Sequence, residues 1–408
     1  MRLLHTSDWH LGQNFMGKSR ANEHQAFLDW LLVLIESERI DALVIAGDIF
    51  DTGTPPSYAR EIYNHFVVQI QASGCQLVIL GGNHDSVATL HESRTLLACL
   101  NVTVIGGAQP EIRDQLVVIH DRSGEPAAVL AAIPYLRPRD LVSSQAGESP
   151  EAKQQAMTQA IADHYAALYT EAEALRDSFS SPLPIIATGH LTTVGSTSSE
   201  SVREIYIGTL EAFPASAFPP VDYLALGHLH KAQKVAGEEH LRYSGSPIPL
   251  SFDEIGNDKQ VLLAEFSEGA LQSVTPVAVP HTQPMARWKG NLQQLEARFQ
   301  ELEPLSLRAK PLWLDIEVQE DDYLSDLHNR LQALAEEHGV EILRLRRQRQ
   351  RNRQGLEQQS RETLSELNID EVFERRLSAE ALENDPAAAG LRNAFAEIRA
   401  SLDEELNG

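Results

Sequence analysis

The chain has 408 residues, 42% of them hydrophobic, two cysteines and a formal net charge of −24. That length accommodates two or three domains, while two cysteines exclude a disulfide framework and no apolar run approaches the ~20 residues of a membrane span. So negative a chain does not hold nucleic acid by its bulk charge, and any DNA contact must rest on local basic patches, metal ions or a partner.

Met1–His5 runs directly into a strand pattern without the features of a signal peptide, and with the low cysteine count this sets the expectation of a reducing cytoplasm. Leu3–Ser7 reads as a short strand ending at Asp8-Trp9-His10. In an extended backbone Asp8 and His10 point one way and Trp9 the other. Ala21–Glu36 follows as a helix with Phe27, Trp30, Leu31, Leu34 and Ile35 on one face. Asp41–Ala46 is the next strand, ending at Gly47-Asp48-Ile49-Phe50-Asp51. A second helix begins at Pro55-Pro56-Ser57, with Ser57 as its expected N-cap.

Gln76–Leu80 is a third buried strand, and it delivers Gly81-Gly82-Asn83-His84-Asp85 at its end. An amide, an imidazole and a carboxylate crowded at a strand end form either a polar turn or a site. Gly82 allows close approach of the backbone to a ligand. A helix is expected over about 86–100, then strands at Val102–Ile105, Gln115–Ile119 and Ala127–Ile133. Between Pro134 and Pro184 lies an insertion with Arg137 and Arg139 in a loop and a polar, Ala-rich helix over about 151–175. Two further strands end in histidines, Pro184–Thr188 at Gly189-His190 and Asp222–Leu226 at Gly227-His228-Leu229-His230. Leu241–Ser244 and Gln260–Phe266 read as closing strands. Strands alternating with helices predict a covered, largely parallel sheet.

The pattern changes near Val274–Pro284. Pro311–Val318 and Val340–Leu345 read as strands around a helix over 321–338, a small α+β unit. Arg344, Arg346, Arg347, Arg349, Arg351 and Arg353 form a dense basic run. Two helical patterns follow; in the second, Leu391, Phe395, Ile398 and Leu402 make one apolar stripe, suited to folding back or to docking on a partner helix.

Asp8, His10, Asp48, Asn83, His190, His228 and His230 all fall at strand ends. Such a set of nitrogen and oxygen donors suits a pair of metal ions ~3.5–4 Å apart, with a carboxylate bridging them, and Asp48 sits centrally enough to bridge. The absence of thiolate favours manganese, iron or zinc.

These motifs, in this order, resemble the calcineurin-like metallophosphoesterases over about residues 1–270. Passages such as His5–Gly12, Tyr223–His230 and Gly245–Phe252, with the basic and helical tail, extend the resemblance over most of the chain to nuclease subunits of bacterial ATPase–nuclease complexes. The resemblance implies a four-layered α/β/β/α sandwich over 1–270, an α+β capping domain over 275–345, a basic linker over 346–359 and a helical partner-binding segment over 360–402. It implies two Mn2+ ions, one held by Asp8, His10, Asp48 and His230, the other by Asp48, Asn83, His190 and His228. His84 then faces the scissile phosphate and Asp51 orients His84. Implied activities are those of a double-strand DNA exonuclease and a single-strand or hairpin endonuclease in repair, replication and recombination. Implied partners are DNA, met by Arg137 and Arg139, and an ABC-type ATPase whose coiled coil receives the C-terminal helices. A nucleoid-associated cytoplasmic location follows, and a homodimer within the complex stays open. Two other readings are a small-molecule phosphodiesterase or protein phosphatase on the same core, and a non-catalytic scaffold.

Overall fold

A computed structural model describes residues 1–142, 149–202, 212–302, 310–319 and 327–347. In chain order the elements begin β1 (Arg2–Thr6), β2 (Asn14–Phe15), β3 (Lys18–Ser19), α1 (Ala21–Ser37), β4 (Ala42–Ala46), α2 (Ser57–Ile70), β5 (Gln76–Leu80), α3 (Val87–His91), α4 (Arg94–Ala98) and β6 (Val102–Ile105). There follow β7 (Leu116–His120), β8 (Pro126–Ala131), α5 (Pro138–Leu141), α6 (Pro150–Arg176), β9 (Ile185–His190), β10 (Tyr223–Gly227), β11 (Gln233–Val235), β12 (Glu238–Tyr243), β13 (Gln260–Ser267) and β14 (Ala270–Ala278). The last are β15 (Met285–Gly290), α7 (Leu292–Gln300), β16 (Leu312–Val318), α8 (Leu327–Glu337) and β17 (Val340–Arg347).

Two six-stranded sheets stack on each other, ordered β14-β13-β1-β4-β5-β6 and β11-β12-β10-β9-β8-β7. Strands β1, β4, β5 and β6 pair in parallel, as do β8, β9, β10 and β12; antiparallel strands close three of the four sheet edges and the parallel β6 forms the other. Alternation along each strand explains the layers, because successive side chains face opposite sides. Leu3, Ala42, Val44, Val78 and Leu80 meet Ala128, Leu130, Ile186 and Ala225 between the sheets. Their neighbours Leu4, Leu43, Ile45, Leu77 and Ile79 face α1 and α2 through Phe27, Leu31, Phe66 and Ile70. On the other outer face Val129, Ala131, Leu224 and Leu226 pack on α6 through Met157, Ile161, Tyr165 and Leu168. The architecture is therefore the expected four-layered α/β/β/α sandwich. Both faces of the central strands are buried, which is why they read as unbroken apolar runs.

A separate parallel sheet, β15-β16-β17, carries α7 and α8 over its own core of Leu295, Phe299, Leu314, Ile316 and Leu331. Phe15, Phe252 and Trp313 join this small sheet to the sandwich.

Several local expectations change. Helix α2 starts at Ser57 with Pro56, in the extended conformation that the cap position needs, as its N-cap; the proline ring offers no acceptor, so no side-chain cap bond forms. The helix expected over 86–100 breaks into α3 and α4; Ser86 caps the first by accepting from Thr89 N–H. Strand β14 continues the sandwich sheet as a hairpin with β13, beyond the expected closing strand at Gln260–Phe266. Strand β15 and helix α7 have no counterpart in the sequence expectation: β15 is short and mostly half-exposed, alternating only over Ala286–Gly290. The stripe of Leu391, Phe395, Ile398 and Leu402 lies outside the described residues.

Candidate metal centre

Loops at the C-terminal ends of β1, β4 and β5 in one sheet meet those after β9 and β10 in the other. Asp8 and His10 do not follow the extended alternation expected of them. Strand β1 ends at Thr6, and Asp8 and His10 take left-handed φ values of 55° and 47°. Asp48 and His228 are left-handed too, with φ of 52° and 93°. Such conformations are unfavourable for residues with a Cβ and persist only where the surroundings hold them. Here the backbone does so: Asp8 N–H donates to Gly47 O at 3.0 Å, and His10 N–H to Asp48 O at 3.0 Å. Between them Trp9 is fully buried, edge-on to Phe27 and Phe66, and anchors the loop in the outer core.

Asp48 lies at the middle. Its Oδ1 accepts the His84 N–H at 2.8 Å, and its Oδ2 is 3.3 Å from His190 Nε2 and 3.6 Å from His10 Nε2. Two nearby glycines are required by closeness. A Cβ on Gly82 would sit 2.1 Å from Asp48 Oδ1, and one on Gly47 2.2 Å from His190 Nδ1. The close approach anticipated at Gly82 is thus to Asp48.

His190 Nδ1 is 2.9 Å from the Ala46 carbonyl, so Nδ1–H donates there and Nε2 is left as the lone-pair nitrogen. That nitrogen nevertheless faces Asn83 Oδ1 at 2.9 Å as well as Asp48 Oδ2. Three acceptors pointing at one another require a proton or a cation between them. Without a cation the proton wins: burial opposes the charge on His190, but Asp48 outweighs it and raises the imidazole to about 9. Burial and the neighbouring His190 hold His228 well below its usual range. Asp8 accepts from Ser7 Oγ at 2.5 Å and from His228 N–H at 2.9 Å. His10 Nε2 is buried without a hydrogen-bond partner. Ligating atoms of Asp8, His10 and His230 lie within 4.8 Å of one another, as do those of Asp48, His190 and His228, and those of His10, Asp48 and His84. An orphaned imidazole nitrogen and converging acceptors fit a divalent-cation site.

His84 is at the rim, 9% exposed, with its ring edge-on to His10. Its Nδ1 donates to the main-chain carbonyl of Asp51 at 2.8 Å, while the Asp51 carboxylate lies 3.1 Å from His10 Nδ1. Asp51 therefore meets His84 through its carbonyl and His10 through its side chain. Arg137 is half-buried: Nη2 donates to Asp85 O at 3.0 Å and the guanidinium stands 5.5 Å over the Tyr135 ring. It braces the Asn83–Asp85 loop. Arg139 is exposed, 3.6 Å from Asp140.

Two groups escaped the sequence reading. Buried Asp85 accepts from Ile49, Phe50 and Gly82 N–H, tying the Asp48 loop to the Asn83 loop; burial, then Asp48, push it up to about 6. The Gly82–Asp85 motif placed Asp85 in the loop, but its acceptor role depends on a chain crossing. Behind His230, Glu254 Oε1 is 3.1 Å from Nδ1 and Glu254 Oε2 is 2.6 Å from Lys259 Nζ, the pair being 0% and 2% exposed. No local pattern marks this pair. Of the basic run, Arg344 and Arg346 are both bound to buried Asp315, and residues from 348 onward lie outside the described set.

A stacked two-sheet sandwich with aspartates, histidines and an asparagine gathered at its strand ends defines the calcineurin-like phosphoesterase class. The family model described as calcineurin-like phosphoesterase matches residues 1–232, and one described as type 5 capsule protein repressor C-terminal domain matches residues 281–381. The chain is 56% identical to SbcD, the D component of nuclease SbcCD, of Escherichia coli K12 over 385 residues, 94% of each chain. It is 38% identical to the SbcD protein of Rhodobacter capsulatus, over 70% of this chain and 71% of the relative. The Bacillus subtilis SbcD protein is 31% identical over 80% and 81%. The chain belongs to the SbcD family of calcineurin-like phosphoesterases: it is a phosphodiester hydrolase with a metal-binding site. Among the described residues no helix is long and apolar enough to cross a membrane.

Proposed function

We propose that the chain is the manganese-dependent nuclease subunit of an ATPase–nuclease complex. It degrades double-stranded DNA from ends and cuts single strands and hairpins, in repair, replication and recombination. The observation that carries this is the converging acceptor set around Asp48, with His84 at its open rim; the relatives' name, nuclease, supports DNA as substrate. Asp8, His10, Asp48 and His230 would hold one cation, and Asp48, Asn83, His190 and His228 the other. When bound, two divalent cations supply Lewis acidity toward a phosphoryl oxygen and toward water.

The remaining work falls to the chain's own residues. The His84 N–H fixes the Asp48 carboxylate, and the Asp51 carbonyl fixes the His84 tautomer, so the exchangeable proton is the one on Nε2. From the rim His84, in its imidazolium form with both ring nitrogens protonated, gives its Nε2 proton to the leaving oxygen of the phosphodiester and is left as the Nδ1–H tautomer. The Asp51 carboxylate orients His10, and Arg137 holds the loop that presents His84. Exposed Arg139 meets DNA phosphates. The small-sheet unit from Met285 to Arg347 caps the site, with the expected bounds moved because 275–278 belong to β14 and Arg346 to β17; 348–359 act as a basic linker, and 360–402, through Leu391, Phe395, Ile398 and Leu402, dock on the coiled coil of an SbcC-type ABC ATPase.

The test is a substrate panel in manganese: DNA ends, hairpins, a cyclic nucleotide and a phosphopeptide, each with and without the ATPase. DNA turnover above the small substrates is expected. A preference for the cyclic nucleotide or the phosphopeptide overturns the reading.

A further inference from the structure

Beside His230 runs a strip whose side chains alternate in direction. The Ser199 hydroxyl donates to Glu254 Oε1 at 2.9 Å, and the Ser201 hydroxyl donates to the same oxygen. Ser201 Oγ is also 2.6 Å from His230 Nδ1. Between them Glu200 points the other way. Its carboxylate lies 3.8 Å from Arg287 Nη2 and 3.7 Å from Arg344 Nη1, and its N–H donates to Asp253 at 2.9 Å. Arg287 and Arg344 belong to β15 and β17 and stand in register on either side of Asp315 in β16, which binds both. The adjacent turn Phe252–Glu254 repeats the arrangement. Phe252 packs with Phe15 and Trp313 and lies 5.6 Å from the Arg344 guanidinium, while Glu254 holds His230. Two neighbouring three-residue strips thus each touch the small sheet on one side and His230 on the other.

We propose that Ser201 and Glu254 are positioning residues for His230, and that the Glu200–Arg287–Arg344 cluster couples the seating of the small sheet to them. The proposal rests on the reading of His230 as a metal-binding residue. An imidazole ligates well only when the opposite ring nitrogen is held, and outer partners of this kind change metal affinity by roughly 10–100-fold. Glu254 is pinned from behind by Lys259, so it is the fixed partner. Ser201 is the movable one, because the segment that carries it is fastened through Glu200 to the small sheet. A shift of that sheet carried by Glu200 reaches the ring through the Ser201 hydroxyl.

The experiment is calorimetric titration of Mn2+ into the metal-free full chain, with thermal unfolding of the same metal-free samples. The variants are Ser201→Ala, Ser201→Thr, Glu200→Ala, Glu200→Ala with Ser201→Ala, and His230→Ala. Ser201→Ala and Glu200→Ala should each weaken one of the two sites by about 10-fold, while the metal-free variants still unfold in one cooperative transition with at most a modest drop in Tm. Ser201→Thr, which keeps the hydroxyl, should restore affinity. The double variant should be no weaker than Ser201→Ala alone, because Glu200 acts through Ser201. Unchanged affinity in Glu200→Ala, or two losses that multiply, overturns the coupling. Full affinity in Ser201→Ala alongside a lost site in His230→Ala overturns the positioning role and leaves the metal reading standing. Two full-affinity sites in His230→Ala overturn that reading itself.

Discussion

Replacing Lys259 by Met should cost about 3–5 kcal/mol of folding stability, the penalty for stranding one member of a buried ion pair. Lys259 Nζ donates to Glu254 Oε2 at 2.6 Å, to Ser246 Oγ at 2.7 Å and to His230 O at 3.1 Å, and the pair is almost wholly buried. Burial lowers the Lys259 ammonium from its usual range against the pull of Glu254. Burial also opposes charge on Glu254, but Lys259 and His230 outweigh it and hold that carboxylate well below its usual range. The 2.6 Å contact to Glu254, with the Ser246 hydroxyl and the His230 carbonyl as further acceptors around the Lys259 nitrogen, has the geometry of an ion pair. Without Lys259 the carboxylate keeps the Leu250 N–H and the Ser246 and Ser201 hydroxyls, which places the loss toward the lower end of that range. Glu254→Gln combined with Lys259→Met removes both charges and should recover about 2 kcal/mol or more relative to the sum of the single losses. Urea unfolding of the metal-free full chain measures each value. A Lys259→Met loss under about 1 kcal/mol, or single losses that simply add, would refute the reasoning.

Other outcomes follow from the same contacts. His84→Gln should bind manganese and DNA as before but cleave about 10²–10⁴-fold more slowly; calorimetry showing a lost metal site would make His84 a ligand. Gly82→Ala forces a methyl onto Asp48 Oδ1 and should weaken manganese binding, also read by calorimetry. His5 and His24 are buried and held neutral, each lowered by desolvation to about 3. The unfolded chain takes up their protons below about pH 6.5, so their contribution is complete above that pH and is lost as the pH falls toward 3. The stability of metal-free His24→Gln should therefore fall less steeply between pH 6 and pH 4, by roughly 1.4 kcal/mol per pH unit; equal slopes count against a neutral His24.

The strands were legible because the central ones are buried on both faces, so Leu43–Ala46 and Val78–Leu80 stand out as apolar runs between glycine and polar breaks. The clustering of Asp8, Asp48 and the histidines followed from their common place at strand ends. What the sequence hid is what depends on chain crossings. Asp8 and His10 share a target through left-handed turns held by the Asp48 loop, not through strand alternation. Asp85, Glu254 and Lys259 act on partners brought to them by other strands. Arg344 and Arg346 read as free positive charge because Asp315, which binds them, sits on a neighbouring strand about thirty residues earlier. The 86–100 helix broke because helical periodicity says little about where two short turns join.

The central claim is that seven side chains from two sheets form one two-ion centre bridged by Asp48. Anomalous scattering from manganese-loaded crystals of the full chain and of Asp48→Asn tests it most directly. The account predicts two ions among Asp8, His10, Asp48, Asn83, His190, His228 and His230, and clearly reduced occupancy in Asp48→Asn. Ions bound elsewhere, or two fully occupied ions in an otherwise unchanged Asp48→Asn protein, would contradict it.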